Sequence, residues 1–471
     1  MTRTQVARLS LLFVVLAGFA AQAACAQSIH MPPHEKVVLK NGLTVLLLEK
    51  HGVPIISFYG VLKAGAAADP AGQEGLAAIT AGLLRKGTKA RSAQQFSADL
   101  DFIGGSFNAD ANADFTGVSA ECLSKDVATG LNLFADALLH PTFAKDEVDK
   151  LLAQTLDGIK GAKDDPQQVL TPYYYAYLFG GRGYGRSEDG DEISLPKIQR
   201  EAIAKFYDSY YAPGNMILAV AGDFQSADMK KKLEDALGGW PAKQTPPVKI
   251  EASAPAKGKR LLLVDKPDAT QTYFAFGNVG VAAGDPDRVA IRVVDTVFGE
   301  RFTSMLNEAL RVESGLTYGA RASFDPRKAA GPFTIESFTK NETTTQAIDL
   351  ALQVLAKLHK DGLTADQLKS AKNYIKGQFP PHIETSGGLA QRIAANEFYG
   401  LDDSEVNQLE ARIDAVTLET AKQVIQKHYP LDNLVFTLIG NASAIGPAVK
   451  KYAEKMDQRK ITEPGFWPAG K

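Results

Sequence analysis

The chain has only two cysteines, Cys25 and Cys122, among 471 residues. So sparse a set excludes a disulfide framework. Charge of one sign is lacking too. The net charge is −2, and nothing in it points to nucleic acid or to an anionic membrane surface. Beyond the N-terminal region no segment approaches ~18 consecutive apolar residues, so no membrane span is expected in the mature protein. No Gly-x-Ser-x-Gly elbow occurs, which leaves a serine hydrolase unsupported. Seven histidines are present, yet no two stand at metal-ligand spacing on a plausible helix. His30 and His34 are separated by Pro32 and Pro33, which rule out a helix between them. Gly180-Gly-Arg-Gly-Tyr-Gly185 lacks the strand before it and the βαβ context of a dinucleotide site, and reads as a loop.

What is present begins with an export signal. Arg3 and Arg8 precede an apolar stretch from Leu9 to Ala21, and Ala24-Cys25-Ala26 before Gln27 fits a cleavage site. Residues 1–26 therefore read as a signal peptide, with cleavage after Ala23 as an alternative. Cys25 raises a lipoprotein alternative, but Gln22 stands where a lipobox wants an aliphatic residue. The expected destination is the periplasm if the source is Gram-negative, and otherwise the exterior. Cys122 falls in the alternating run from Phe115 to Leu123 and reads as a buried structural thiol.

Hydrophobic content of 45% and charged content of 23% are ordinary for a globular protein. The length fits about two to four domains. An internal duplication is visible: Tyr210-Tyr-Ala-Pro-Gly-Asn-Met-Ile-Leu-Ala-Val-Ala-Gly222 aligns without gaps on His428-Tyr-Pro-Leu-Asp-Asn-Leu-Val-Phe-Thr-Leu-Ile-Gly440. The same offset places Ile55–Phe58 on Tyr273–Phe276, both strand-like. A unit this long means two similar domains rather than a solenoid. We place them at 28–240 and 258–460, joined by a linker over 241–257 rich in proline, lysine and small residues. Strands and helices mix without strict alternation, so the class is α+β. Leu43–Leu48 reads as a strand entered through Asn41-Gly42. Asp126–Leu139 reads as an amphipathic helix, with Val127, Leu131, Phe134, Ala135 and Leu138 on one face. Arg288–Val312 looks helical, with Phe298, Phe302, Met305, Leu306 and Leu310 on one side and a break or bend at Gly299.

Several stretches, in order along nearly the whole mature chain, resemble the pitrilysin/insulinase family of inverzincin zinc peptidases. They are Gly104-Gly-Ser-Phe-Asn-Ala109, His140-Pro-Thr-Phe143, Asp164-Asp-Pro166, Tyr211-Ala-Pro-Gly-Asn215 with Ala221-Gly-Asp223, Gly315-Leu-Thr-Tyr318 and Ala371-Lys-Asn-Tyr374. The resemblance implies two homologous α/β-sandwich domains. It also implies an inverted His-x-x-Glu-His zinc helix before a Lys-Gly-Thr turn. Here that segment is Gly75-Leu-Ala-Ala-Ile-Thr-Ala-Gly82, ahead of Lys86-Gly-Thr88. Ala78 and Gly82 replace the histidines, Ala81 replaces the general base, and Gly158, beside Asp157, stands at the third-ligand position. Alanine and glycine side chains hold no donor atoms, so no zinc is expected in this chain.

In paired relatives one subunit carries zinc, and the other contributes an arginine and a tyrosine from its second domain. Arg311-Val-Glu-Ser-Gly-Leu-Thr-Tyr318 fits that pair. The resemblance implies that Arg311 holds a substrate carbonyl and Tyr318 donates to the developing oxyanion, both within a shared chamber. Gly315 would supply the turn that aims Tyr318. Without the resemblance, an arginine near a helix end faces water and a tyrosine at a strand start packs. Asn108-Ala109-Asp-Ala-Asn-Ala-Asp-Phe115 aligns with the edge strand that pairs with substrate in zinc-bearing relatives. The expected function is the non-catalytic subunit of a heterodimeric zinc metalloendopeptidase, with a zinc-bearing homologous partner and peptide substrates. A structural or peptide-binding scaffold of the same fold is the alternative.

Overall fold

The computed structural model describes residues 30–467. The signal-peptide reading over 1–26, Cys25 included, lies outside them. Two six-stranded mixed sheets organise the chain. The first runs β1 (Glu35–Val38), β2 (Thr44–Glu49), β6 (Met216–Gly222), β3 (Ile55–Leu62), β5 (Thr116–Leu123), β4 (Ser106–Ala111). The second runs β12 (Lys455–Lys460), β7 (Arg260–Asp265), β11 (Val435–Gly440), β8 (Gln271–Val279), β10 (Pro332–Lys340), β9 (Ala320–Phe324). Five strands of one sheet repeat the order of five in the other, which is the duplication in three dimensions. The outermost strand differs: β1 pairs antiparallel with β2 through the Asn41-Gly42 turn, whereas β12 comes from the far end of the chain and pairs parallel with β7.

The register corrects one detail of the sequence alignment. With Ile217 matched to Val435, Thr44 lies beside Ile217 and Arg260 beside Val435. On the other side, Val61 faces Ile217 and Gly277 faces Val435. The counterpart of Ile55 is therefore Gln271, two residues before the Tyr273 that a gapless offset selects. A slip of two residues keeps every side chain on its face, so the apolar pattern does not register it.

Both faces of each sheet are buried. In β2, Val45 and Leu47 join one core while Leu46 and Leu48 join another, and the strand accordingly reads as a continuous apolar run. One face of the first sheet is covered by its own helices α1 (Leu76–Leu83) and α2 (Val127–Leu139), followed by α3 (Lys145–Ala162). The opposite faces are covered by exchange. Helix α4 (Pro166–Phe179), from the first half, lies across β8 and β11 of the second sheet. In the second half, after α5 (Arg288–Asp295) and α6 (Thr344–Asp361), α7 (Ser386–Tyr399) lies across β3 and β6.

The Asp164-Asp165-Pro166 motif starts α4. Asp165 accepts from the Gln167 N–H at 3.1 Å, and Pro166 fills the first turn, where no N–H is needed. The hydroxyls of Tyr174 and Tyr177 donate to the Phe333 and Leu261 carbonyls at 3.1 and 3.3 Å. Asp114 links the halves again, accepting from the Tyr184 hydroxyl at 2.7 Å and the Lys328 N–H at 2.8 Å.

The helical reading of Arg288–Val312 needs correction. Helix α5 ends at Asp295, a π turn follows over Thr296–Glu300, the chain breaks at Arg301, and helix resumes from Met305 to Glu313. Gly299 explains the break. A Cβ there would lie 2.2 Å from the Ala322 nitrogen, so the β9 backbone occupies that space. Phe298, Leu306 and Leu310 are buried as expected, but Phe302 is 64% exposed because the helical phase is lost before it. Gly180–Gly185 is a loop, with Gly180 closing α4 in the left-handed region. Cys122 is buried, and burial pushes its thiol up to about 11. Among the described residues no helix is long and apolar enough to cross a membrane.

Candidate functional site

Helix α1 carries Ala78, Ala81 and Gly82, the positions that the resemblance assigns to the two histidines and the general base. Its N-terminus is fixed by Asp69, whose two carboxyl oxygens accept the Gly75 and Ala77 N–H groups, each at 2.8 Å. Burial pushes that carboxyl up to about 7, against the opposing pull of these donors and of Arg186. Ala81 is buried, while Ala78 and Gly82 are half-buried. A Cβ on Gly82 would meet Leu151 of α3 at 3.1 Å. Gly158 sits seven residues beyond Leu151, on the same face of α3, with nothing within 4 Å of where its Cβ would be. The backbone thus keeps two helices side by side, but Ala78, Ala81, Gly82 and Gly158 offer no donor, and these residues do not fit a zinc ion.

Among the described residues one cluster of possible ligands arises elsewhere: Asp285, Asp287 and His428. The histidine was not legible as a ligand because its partners lie far away in sequence. Asp287 Oδ2 already accepts from His428 Nε2 at 2.9 Å and from the Lys427 ammonium at 2.7 Å. That makes it an ion-pair cluster on the surface of the second half.

Strand β4 is the edge of the first sheet, with Asn108 exposed and Ala109 half-buried. It stops at Ala111 rather than running on to Phe115. The Asn112 carboxamide oxygen accepts the Asp114 and Phe115 N–H groups at 2.8 and 2.9 Å and turns the chain. Arg85, just past α1, donates to the Phe107 carbonyl within β4 at 2.9 Å. Nothing in the local pattern marks Arg85 for that contact.

The Arg311–Tyr318 stretch runs from the last turn of the interrupted helix into β9. Gly315 has φ +64°, a left-handed conformation that suits glycine, and the Leu316 N–H closes the helix end on the Leu310 carbonyl at 3.0 Å. Tyr318 stands two residues before β9 rather than at its start, and is 79% exposed. Neither the Arg311 nor the Tyr318 side chain makes a hydrogen bond or ion pair among the described residues. The Arg311 guanidinium lies over the Phe302 ring, 4.5 Å from its centroid.

Arg311 borders a cavity of ≈ 400 Å³ lined also by Arg301, Phe302, Arg321, Glu300, Glu336, Tyr273 and Phe338, with Gln167, Leu170 and Thr171 from α4. Tyr318 is not in that lining. Arg301 and Arg321 were missed in the sequence. They join Arg311 only because the break at Gly299 and the edge strand β9 meet, and no local signal carries that contact.

Family models agree with this architecture. One described as insulinase (peptidase family M16) matches residues 45–190, and one described as the peptidase M16 inactive domain matches residues 197–375. The chain belongs to this family of peptidases. It is 23% identical over 401 residues to the uncharacterized zinc protease YmxG of Bacillus subtilis, covering 84% of this chain and 97% of that protein. It is 27% identical over 409 residues to the uncharacterized zinc protease Rv2782c of Mycobacterium tuberculosis, covering 84% and 91%. The crystal structure of a peptidase M16 inactive domain from Pseudomonas fluorescens superposes with a TM-score of 0.82 at 26% identity, covering 87% of this chain and 98% of that one. A protease from Helicobacter pylori shares the fold, with a TM-score of 0.79 at 21% identity, covering 87% and 99%.

Proposed function

We infer that this chain is the metal-free subunit of a heterodimeric zinc endopeptidase. It binds peptide and supports the transition state of a reaction whose zinc sits in a homologous partner. One contrast carries the reading. The zinc-site positions Ala78, Ala81 and Gly82 on α1 and Gly158 on α3 carry no donor, while Arg311 and Tyr318 keep side-chain donors that no other described residue uses. Attack on a peptide carbonyl builds negative charge on its oxygen, and a preorganised hydroxyl or guanidinium stabilises that charge. The Phe302 ring under Arg311 limits the conformations its side chain loses on binding.

The N-terminal sequence supports export, so the working pair belongs in the cell envelope or outside the cell. The edge strand at Asn108 and Ala109 contributes less, since Arg85 already engages a carbonyl of β4. The test is reconstitution. The chain is mixed with a zinc-bearing family member from the same source, and complex formation and peptide cleavage are measured. Cleavage that needs both chains supports the reading. A stable complex whose turnover ignores this chain, or no complex at all, leaves the scaffold alternative.

A further inference from the structure

The cavity beside Arg311 holds more positive charge than a neutral peptide backbone calls for. We propose that it takes the carboxylate side chain of a bound peptide, so that this chain selects peptides with Asp or Glu at one position; this rests on its reading as a peptide-binding, metal-free half.

Three arginines line the cavity. Arg301 comes from the break after the π turn, Arg311 from the turn before Gly315, and Arg321 from β9. Arg311 has only the Phe302 ring as a partner. Arg301 donates through Nη1 to the Ser370 hydroxyl at 2.8 Å, and its Nε is buried with no hydrogen-bond partner.

Two carboxylates face the same space, and each is engaged. Glu336 accepts from Arg321 Nε at 2.5 Å, and Glu300 accepts from the Thr296 hydroxyl at 2.8 Å. Three guanidinium groups against two carboxylates leave one positive charge uncompensated. A carboxylate is the ligand that fits such a fork of planar donors. The rest of the wall sets the polar side chains of Gln167, Thr171, Asn307 and Ser337 beside an apolar stretch. Tyr273 and Phe338 stack with centroids 5.2 Å apart, and Leu170 enters from α4. That stretch suits the methylene groups of an acidic side chain, and partial enclosure strengthens the charge interaction.

The test uses the full chain and fluorescence anisotropy with short labelled peptides rich in Ser, Thr and Ala. One Glu is walked along the peptide, and each version is compared with its Gln counterpart. The expected result is one register in which Glu binds on the order of tenfold tighter than Gln. That advantage shrinks as salt rises and is lost in Arg311→Gln and in Arg321→Gln, the latter leaving Glu336 unpaired in the cavity. Peptides that bind equally well with Glu and Gln in every register overturn the carboxylate site and leave peptide binding standing. Failure of every peptide to bind overturns both.

Discussion

The Arg311 guanidinium rests 4.5 Å from the centroid of the exposed Phe302 ring and touches no carboxylate. An arginine held by stacking alone keeps its in-plane donors for another molecule. Tyr318, seven residues on, is 79% exposed with a hydroxyl that no described residue uses. Substitution at either position is therefore expected to leave the fold intact, with stability changed by less than about 0.5 kcal/mol. In the assembled pair, Tyr318→Phe is expected to lower kcat by on the order of 10²–10³, the usual effect of removing one oxyanion donor. Melting curves and steady-state kinetics on the same preparation check both halves of this expectation. Unchanged turnover removes Tyr318 from the reaction.

Gly299 behaves oppositely. Its missing side chain lets β9 approach, with the Ala322 nitrogen 2.2 Å from where a Cβ would sit. Gly299→Ala must displace backbone on one side or the other. It is expected to destabilise by more than about 2 kcal/mol, as overpacking against backbone does, and to disturb the cavity that Arg301, Arg311 and Arg321 share. Denaturant unfolding measures the cost, and a variant as stable as the parent contradicts the close approach.

The pH dependence of stability should carry a signature of Asp69. An unfolded aspartate titrates near ~3.9, whereas burial raises this one to about 7 in the fold. Between those values the folded chain keeps a proton that the unfolded chain has lost. The stabilisation from this group is thus full below the unfolded value and declines as pH rises to about 7. Asp69→Asn removes that slope. The melting temperature of the parent relative to the variant is expected to fall between pH ~4 and ~7, and parallel curves would contradict the raised value.

Restoring donors tests the geometry of α1 and α3. Ala78→His, Ala81→Glu, Gly82→His and Gly158→Glu rebuild the motif on a backbone that already sets Gly82 against α3. Leu151 must yield a few tenths of an ångström, while Gly158 opens on free space. Replacing two helical glycines adds helix propensity of about 0.5–1 kcal/mol each, so the variant should fold. It is expected to bind close to one equivalent of zinc by isothermal titration. A folded variant that stays metal-free would mean that these positions do not converge.

How much of this was legible in the sequence depended on the range of the interaction. Met216–Gly222 reads as an apolar strand because all seven of its residues are inside, and the Asn41-Gly42 turn marks the entry to β2. That Ala78, Ala81, Gly82 and Gly158 stand at zinc-site positions is what the family resemblance implies, and no contact in the fold bears on it. Phe302 was misplaced because a helical period carries no record of β9 pressing on Gly299. The exchange of α4 and α7 between sheets, and the meeting of Arg301 with Arg321, are long-range contacts without a local pattern. The two-residue slip between Ile55 and Gln271 left side-chain faces unchanged, so hydrophobic alternation could not reveal it.

The most direct measurement is the zinc content and peptidase activity of this chain purified alone, by elemental analysis on the assayed sample. The metal-free reading expects less than about a tenth of an equivalent of zinc and no cleavage. One equivalent of tightly held zinc, with cleavage that a chelator abolishes, would contradict it.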